Sequence, residues 1–163
     1  MNEKINNVIS KVVAETLEKL AFMFASSYDP EDSTEEDPDT GVSVSFNGPF
    51  SGSLGMKVSR EVLSEIAVNM LGVEDEDEIA PGEKDDALKE TINVICGNIL
   101  PAIGGKEAVF NIDAPEIIPE GENVKVKDGE KLASDIKLSL DEGRCDLVLF
   151  VNGEIPEVVE EDE

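Results

Sequence analysis

Between residues 5 and 24 the apolar side chains Ile5, Val8, Ile9, Val12, Val13, Leu17, Leu20 and Phe24 return every three or four positions. That spacing predicts a long amphipathic helix with one side in a core. The period changes to two across VSVSFNGPFSGSLGMKVS, residues 42–59, where apolar and small polar residues alternate on either side of Asn47-Gly48; this is the pattern of a β-hairpin. Ser59 then stands as an N-cap for a second helix that places Leu63, Ile66, Ala67, Met70 and Leu71 on one face and stops at Gly72. A third helix is expected over residues 85–105, with Leu88, Ile92, Ile95, Cys96, Ile99 and Ile103 as its buried stripe and Gly104-Gly105 as its end. Residues 107–112 and 116–118 have the look of strands or extended connections. Residues 132–153 follow as a strand, a turn at Asp141–Arg144 and a strongly apolar strand.

A long helix followed by a hairpin thus occurs twice, in residues 3–58 and 84–152, which suggests a pseudo-two-fold helix–hairpin repeat. At 163 residues the chain is expected to form one domain over residues 1–152, with 153–163 a frayed acidic tail. No apolar run approaches the roughly 18 residues of a membrane span. The N-terminus is interrupted by Lys4, Lys11, Glu15, Glu18 and Lys19, unlike a secretory leader, so a cytoplasmic location without membrane contact is expected.

Charge narrows the classes of function. Thirteen basic against 38 acidic residues give a net charge of −25, which repels DNA and RNA. The chain has no histidine, and this removes Ser-His and Cys-His nucleophilic pairs and every His-containing metal site. Cys96 and Cys145 form no short-range redox or zinc motif and are expected to be buried free thiols. The acidic stretch SSYDPEDSTEEDPDTG, residues 26–41, lacks the Gly and terminal Glu of an EF-hand and is read as a solvated loop. No metal or cofactor of the chain's own is expected.

The outer face of the third helix is less ordinary. At about 100° per residue, Asp86, Glu90, Asn93, Gly97, Pro101 and Gly104 fall within about 60° of the Glu90 direction and form one ridge. A polar residue such as Glu90 is unremarked on such a face. Gly97, Asn93 and Pro101 are poor choices for a helix interior, however, so something other than folding selects them. Gly97 lets another backbone approach, Asn93 offers donor and acceptor, and Glu90 can pair with a cation. With no nucleophile, metal cage or phosphate cradle, the ridge suits docking into another molecule's site.

The spacing Asp86, three residues, Glu90, two residues, Asn93, seven residues, Pro101 resembles the signature helix of the CheC, CheX and FliY chemotaxis phosphatases, and the order of elements supports the likeness over residues 3–152. The sequence looks most like CheX: CheC-type members carry a second Glu and Asn pair in the first helix, whereas here Glu15 is followed by Glu18. The resemblance therefore implies one active helix per chain, with Glu15 and Glu18 as solvated surface. It implies a two-layer α+β fold, a mainly antiparallel sheet with long helices on one face, and a homodimer for which the edge of the C-terminal hairpin is a candidate surface.

The activity implied is hydrolysis of the aspartyl phosphate of a CheY-type response regulator in chemotaxis. That regulator supplies the phosphoryl group, Mg2+ and a lysine. Glu90 would pair with the lysine and Asn93 would orient the attacking water, with Asp86, Gly97 and Pro101 in the contact surface. Two other readings fit the same ridge: a non-catalytic docking module for a response regulator or flagellar-switch component, and a dimerising scaffold kept soluble by its acidic loops.

Overall fold

The computed structural model describes residues 3–27, 38–140 and 143–155. Helix α1, Glu3–Ala21, is followed by the short strand β1, Ser26–Ser27, and the hairpin β2, Thr40–Asn47, and β3, Ser51–Val58. Helices α2, Arg60–Leu71, and α3, Pro81–Gly104, come next, separated by a 3-10 turn at Glu76–Glu78. The chain then makes β4, Asn111–Ile112, β5, Glu116–Ile118, and a second hairpin, β6, Lys131–Leu140, and β7, Gly143–Asn152. The acidic loop over residues 28–37 and the tail from residue 156 onward lie outside the described residues.

All seven strands among the described residues form one antiparallel sheet in the order β1-β6-β7-β3-β2-β4, with β5 also paired to β2. The two hairpins meet at the centre, where β3 and β7 pair from Ser51↔Asn152 to Val58↔Cys145. Alternation fixes which face is covered: Val42, Val44, Phe46, Leu54, Met56, Leu147 and Leu149 are buried, and the helices lie over them. Helix α1 packs on β6, α2 on β7 and α3 on β2, while α1 and α3 also touch each other. Each long helix therefore covers the hairpin that belongs to the other helix–hairpin unit. The expected two-layer α+β architecture with helices on one face is what the chain adopts.

The opposite face is partly roofed by residues 119–130. Val124 sits directly over Gly55, where a Cβ would lie 1.9 Å from the valine Cγ2; only glycine admits that approach. Lys57 donates to Asn123 at 2.8 Å, Lys127 to the Ser45 hydroxyl at 3.1 Å, and Ser53 to the Glu130 carboxylate at 3.4 Å.

Three expectations are adjusted. Helix α1 ends at Ala21, so Phe24 leaves the apolar stripe and is exposed, as is Phe22. Ser59 stands at the N-cap with extended backbone but makes no side-chain cap bond; its hydroxyl instead accepts the Arg144 N–H at 3.0 Å and joins α2 to β7. Part of the acidic linker before the third helix is already helix, because α3 begins at Pro81. Cys96 and Cys145 are buried free thiols; burial pushes Cys96 up to about 12, and raises Cys145 further, with help from the nearby Asp146 charge.

Candidate functional site

Helix α3 is held at three places, and the fastenings decide which side it shows. At its start Pro81 occupies the first turn, where a missing N–H is harmless, and the Ala80 N–H donates to the Glu83 carboxylate at 3.0 Å. Lys84 reaches Glu76 at 2.5 Å and Ser64 of α2 at 3.4 Å; this hydrogen bond, with the lysine's charge, holds the Glu76 carboxyl below its ordinary range. In the middle, buried Leu88, Ile92, Ile95 and Ile99 press on the sheet. Toward the end, Asn98 donates to the Thr16 hydroxyl of α1 at 3.1 Å, and Thr16 donates to the Val12 carbonyl at 2.7 Å.

With the apolar stripe fixed inward, Asp86, Glu90, Asn93, Gly97 and Pro101 are all exposed along the outer side of α3. The ridge is continuous over four turns. Apart from its chain neighbours and the helix's own backbone, nothing among the described residues lies within 4 Å of where a Cβ on Gly97 would stand. Gly104, the last residue placed on the ridge, departs from it: it is half-buried, and a Cβ there would come within 2.9 Å of the Phe110 ring. Phe110, Phe46 and Phe50 form an edge-to-face cluster with centroids 5.1 to 6.0 Å apart that supports this end of the helix. Glu15 and Glu18 are exposed on α1, as expected.

Pro101 lies four residues after Gly97, so it withholds the N–H that the Gly97 carbonyl would receive in a regular helix. One feature escapes a search by residue type: Asn98, because only the packing of α1 against α3 gives it a partner. Beside the ridge, Val94 and Asn98 share a groove of about 410 Å3 with Val12, Glu15, Thr16, Lys19 and Leu20 of α1. A larger concavity of about 530 Å3 lies under residues 113–127 on the other face of the sheet, away from the ridge. Among the described residues, no cluster of Cys, Asp and Glu is arranged to hold a metal. No described helix is long and apolar enough to cross a membrane.

The fold is shared with proteins of known structure. The chain resembles CheX from Desulfovibrio desulfuricans at 18% identity and a TM-score of 0.72, over 91% of this chain and 99% of that one. Against CheX from Vibrio vulnificus the figures are 17% and 0.72, over 90% and 95%. A CheX-CheY-BeF3-Mg2+ complex from Borrelia burgdorferi contains a similar chain, at 20% identity and a TM-score of 0.63, over 90% and 97%. No curated protein matches the sequence. The family model described as chemotaxis phosphatase CheX matches residues 40–136, a span that takes in the central hairpin, the whole of α3 and most of β6. On that match, which exceeds half its length, the chain belongs to the CheX family of chemotaxis phosphatases.

Proposed function

We propose that this chain hydrolyses the aspartyl phosphate of a CheY-type receiver domain in the cytoplasm, using the outer ridge of α3. The observation that carries the reading is the joint exposure of Glu90 and Asn93 on a rigid helix whose opposite side is buried. The receiver brings the phosphoryl group, its bound Mg2+ and a lysine. Glu90 pairs with that lysine and sets the depth and direction of docking. Asn93 enters beside the phosphoryl group, accepts a hydrogen bond from a water molecule and holds it in line with the aspartyl oxygen. Attack forms the new phosphorus–oxygen bond as the bond to aspartate breaks, leaving inorganic phosphate and free carboxylate. A neutral amide suits this task because positioning, rather than proton removal, limits such transfers.

Phosphate release from a phosphorylated CheY-type receiver in magnesium buffer tests the reading. The unmodified chain should accelerate release. Asn93→Ala should lose on the order of 10²-fold in rate, the usual effect of removing one preorganised hydrogen-bonding group, and Glu90→Ala should weaken both binding and rate. Binding without acceleration by the unmodified chain would instead identify a non-catalytic docking module.

A further inference from the structure

The ridge is narrow. Gly97 contributes no side chain, and Asn93 and Pro101 are small, yet a specific protein–protein contact covers about 800 Å² on each partner. A domain that takes in Asn93 must therefore rest on the surface next to it. On one side that surface is the α1–α3 groove, and Val94 and Asn98 belong to the same helix as the ridge, about 40° and 80° round from Glu90. The groove has apolar walls in Val12, Leu20 and Val94, all half-buried, and an exposed rim of opposite charges, Glu15 and Lys19. The Asn98–Thr16 hydrogen bond crosses the groove and ties its two sides together. Furrows between packed helices are common; this one adjoins the ridge, shares Val94 and Asn98 with its helix and has an oppositely charged pair on its rim.

We propose that this groove seats an apolar side chain of the receiver, flanked there by a basic group facing Glu15 and an acidic group facing Lys19. Residues of α1 then select which receiver is accepted, while α3 supplies the chemistry. The inference rests on the ridge being the receiver's docking site, and it extends the contact to a helix that carries no catalytic pair of its own.

The test uses the full chain with Asn93→Ala, which preserves the phosphoryl group during measurement, and a phosphorylated CheY-type receiver in magnesium buffer as the probe. Amide exchange should slow in residues 12–20 as well as in α3 when the receiver is added. Exchanging the rim charges, Glu15→Lys with Lys19→Glu, should raise Kd at least tenfold, and Leu20→Asn should do the same; the rim pair is exposed, so the exchange leaves the core intact. Protection confined to α3, with both variants binding like the parent, overturns the groove while leaving the ridge in place. Absence of any receiver binding also overturns it. Slowed exchange in α1 with weakened variants, but no phosphate release by the unmodified chain, upholds the groove and rejects the catalytic reading.

Discussion

Glycine at position 97 weakens α3 by about 1 kcal/mol relative to alanine, and the fold gives no reason for it, since the space above it is open. Pro101 compounds the weakness by removing the helical donor to the Gly97 carbonyl. Stability and docking should therefore move in opposite directions here. Gly97→Ala is expected to raise Tm by roughly 2–4 °C, the shift that about 1 kcal/mol produces in a chain of this size, while weakening receiver binding because a methyl group now stands where the partner's backbone approaches. Calorimetry and a binding titration on the same preparation check both halves. A more stable variant with unchanged affinity would mean that the partner does not approach at Gly97.

The ends of the helices show how local chemistry and tertiary contacts share the work. Helix α2 stops at Gly72, whose φ of 70° is left-handed and costs glycine nothing. Helix α1 stops in the same geometry with a different residue: the Phe22 N–H donates to Glu18 and the Met23 N–H to Leu17, at 3.1 and 3.2 Å, with Phe22 at φ 56°. An aromatic residue is strained there, and Phe22 is 71% exposed, so packing does not compensate. The turn persists because Met23 is buried and Asn69 of α2 donates to the Ala21 carbonyl. Phe22→Gly should accordingly hold or raise stability, by up to about 1 kcal/mol, as read from the urea midpoint. A clear fall in that midpoint would show that the ring packs after all.

At the scale of the whole molecule the charge of −25 opposes the approach of a second copy. Among the described residues, the edge of the sheet offered by β6 is covered by β1 only at Leu138 and Ser139, and no described strand pairs with residues 131–137 on that side. It carries both signs, in Lys131, Asp135 and Lys137. We expect a homodimer through this stretch to strengthen with salt, because the Debye length falls from about 30 Å at 0.01 M to about 10 Å at 0.1 M and screens the repulsion between copies. Sedimentation at both ionic strengths should show the 17.6 kDa species giving way to the dimer as salt is added; a single monomeric species at both would remove the dimer.

Periodicity in the sequence was enough to place α1, α2, α3 and both long hairpins, because a side chain's burial follows from its position along a regular element. It was enough also to line up Asp86, Glu90, Asn93, Gly97 and Pro101, since all five belong to one helix and need no distant contact to share a face. It failed where a non-local contact overrode the pattern: Phe24 continues the helical spacing, yet the turn at Phe22 has already diverted the chain, and Gly104 continues the ridge until Phe110 covers it. The groove was invisible for the same reason. Its walls come from residues 12–20 and 94–98, and only the packing of α1 on one hairpin and α3 on the other, above the β3–β7 junction, brings those two stretches of chain side by side.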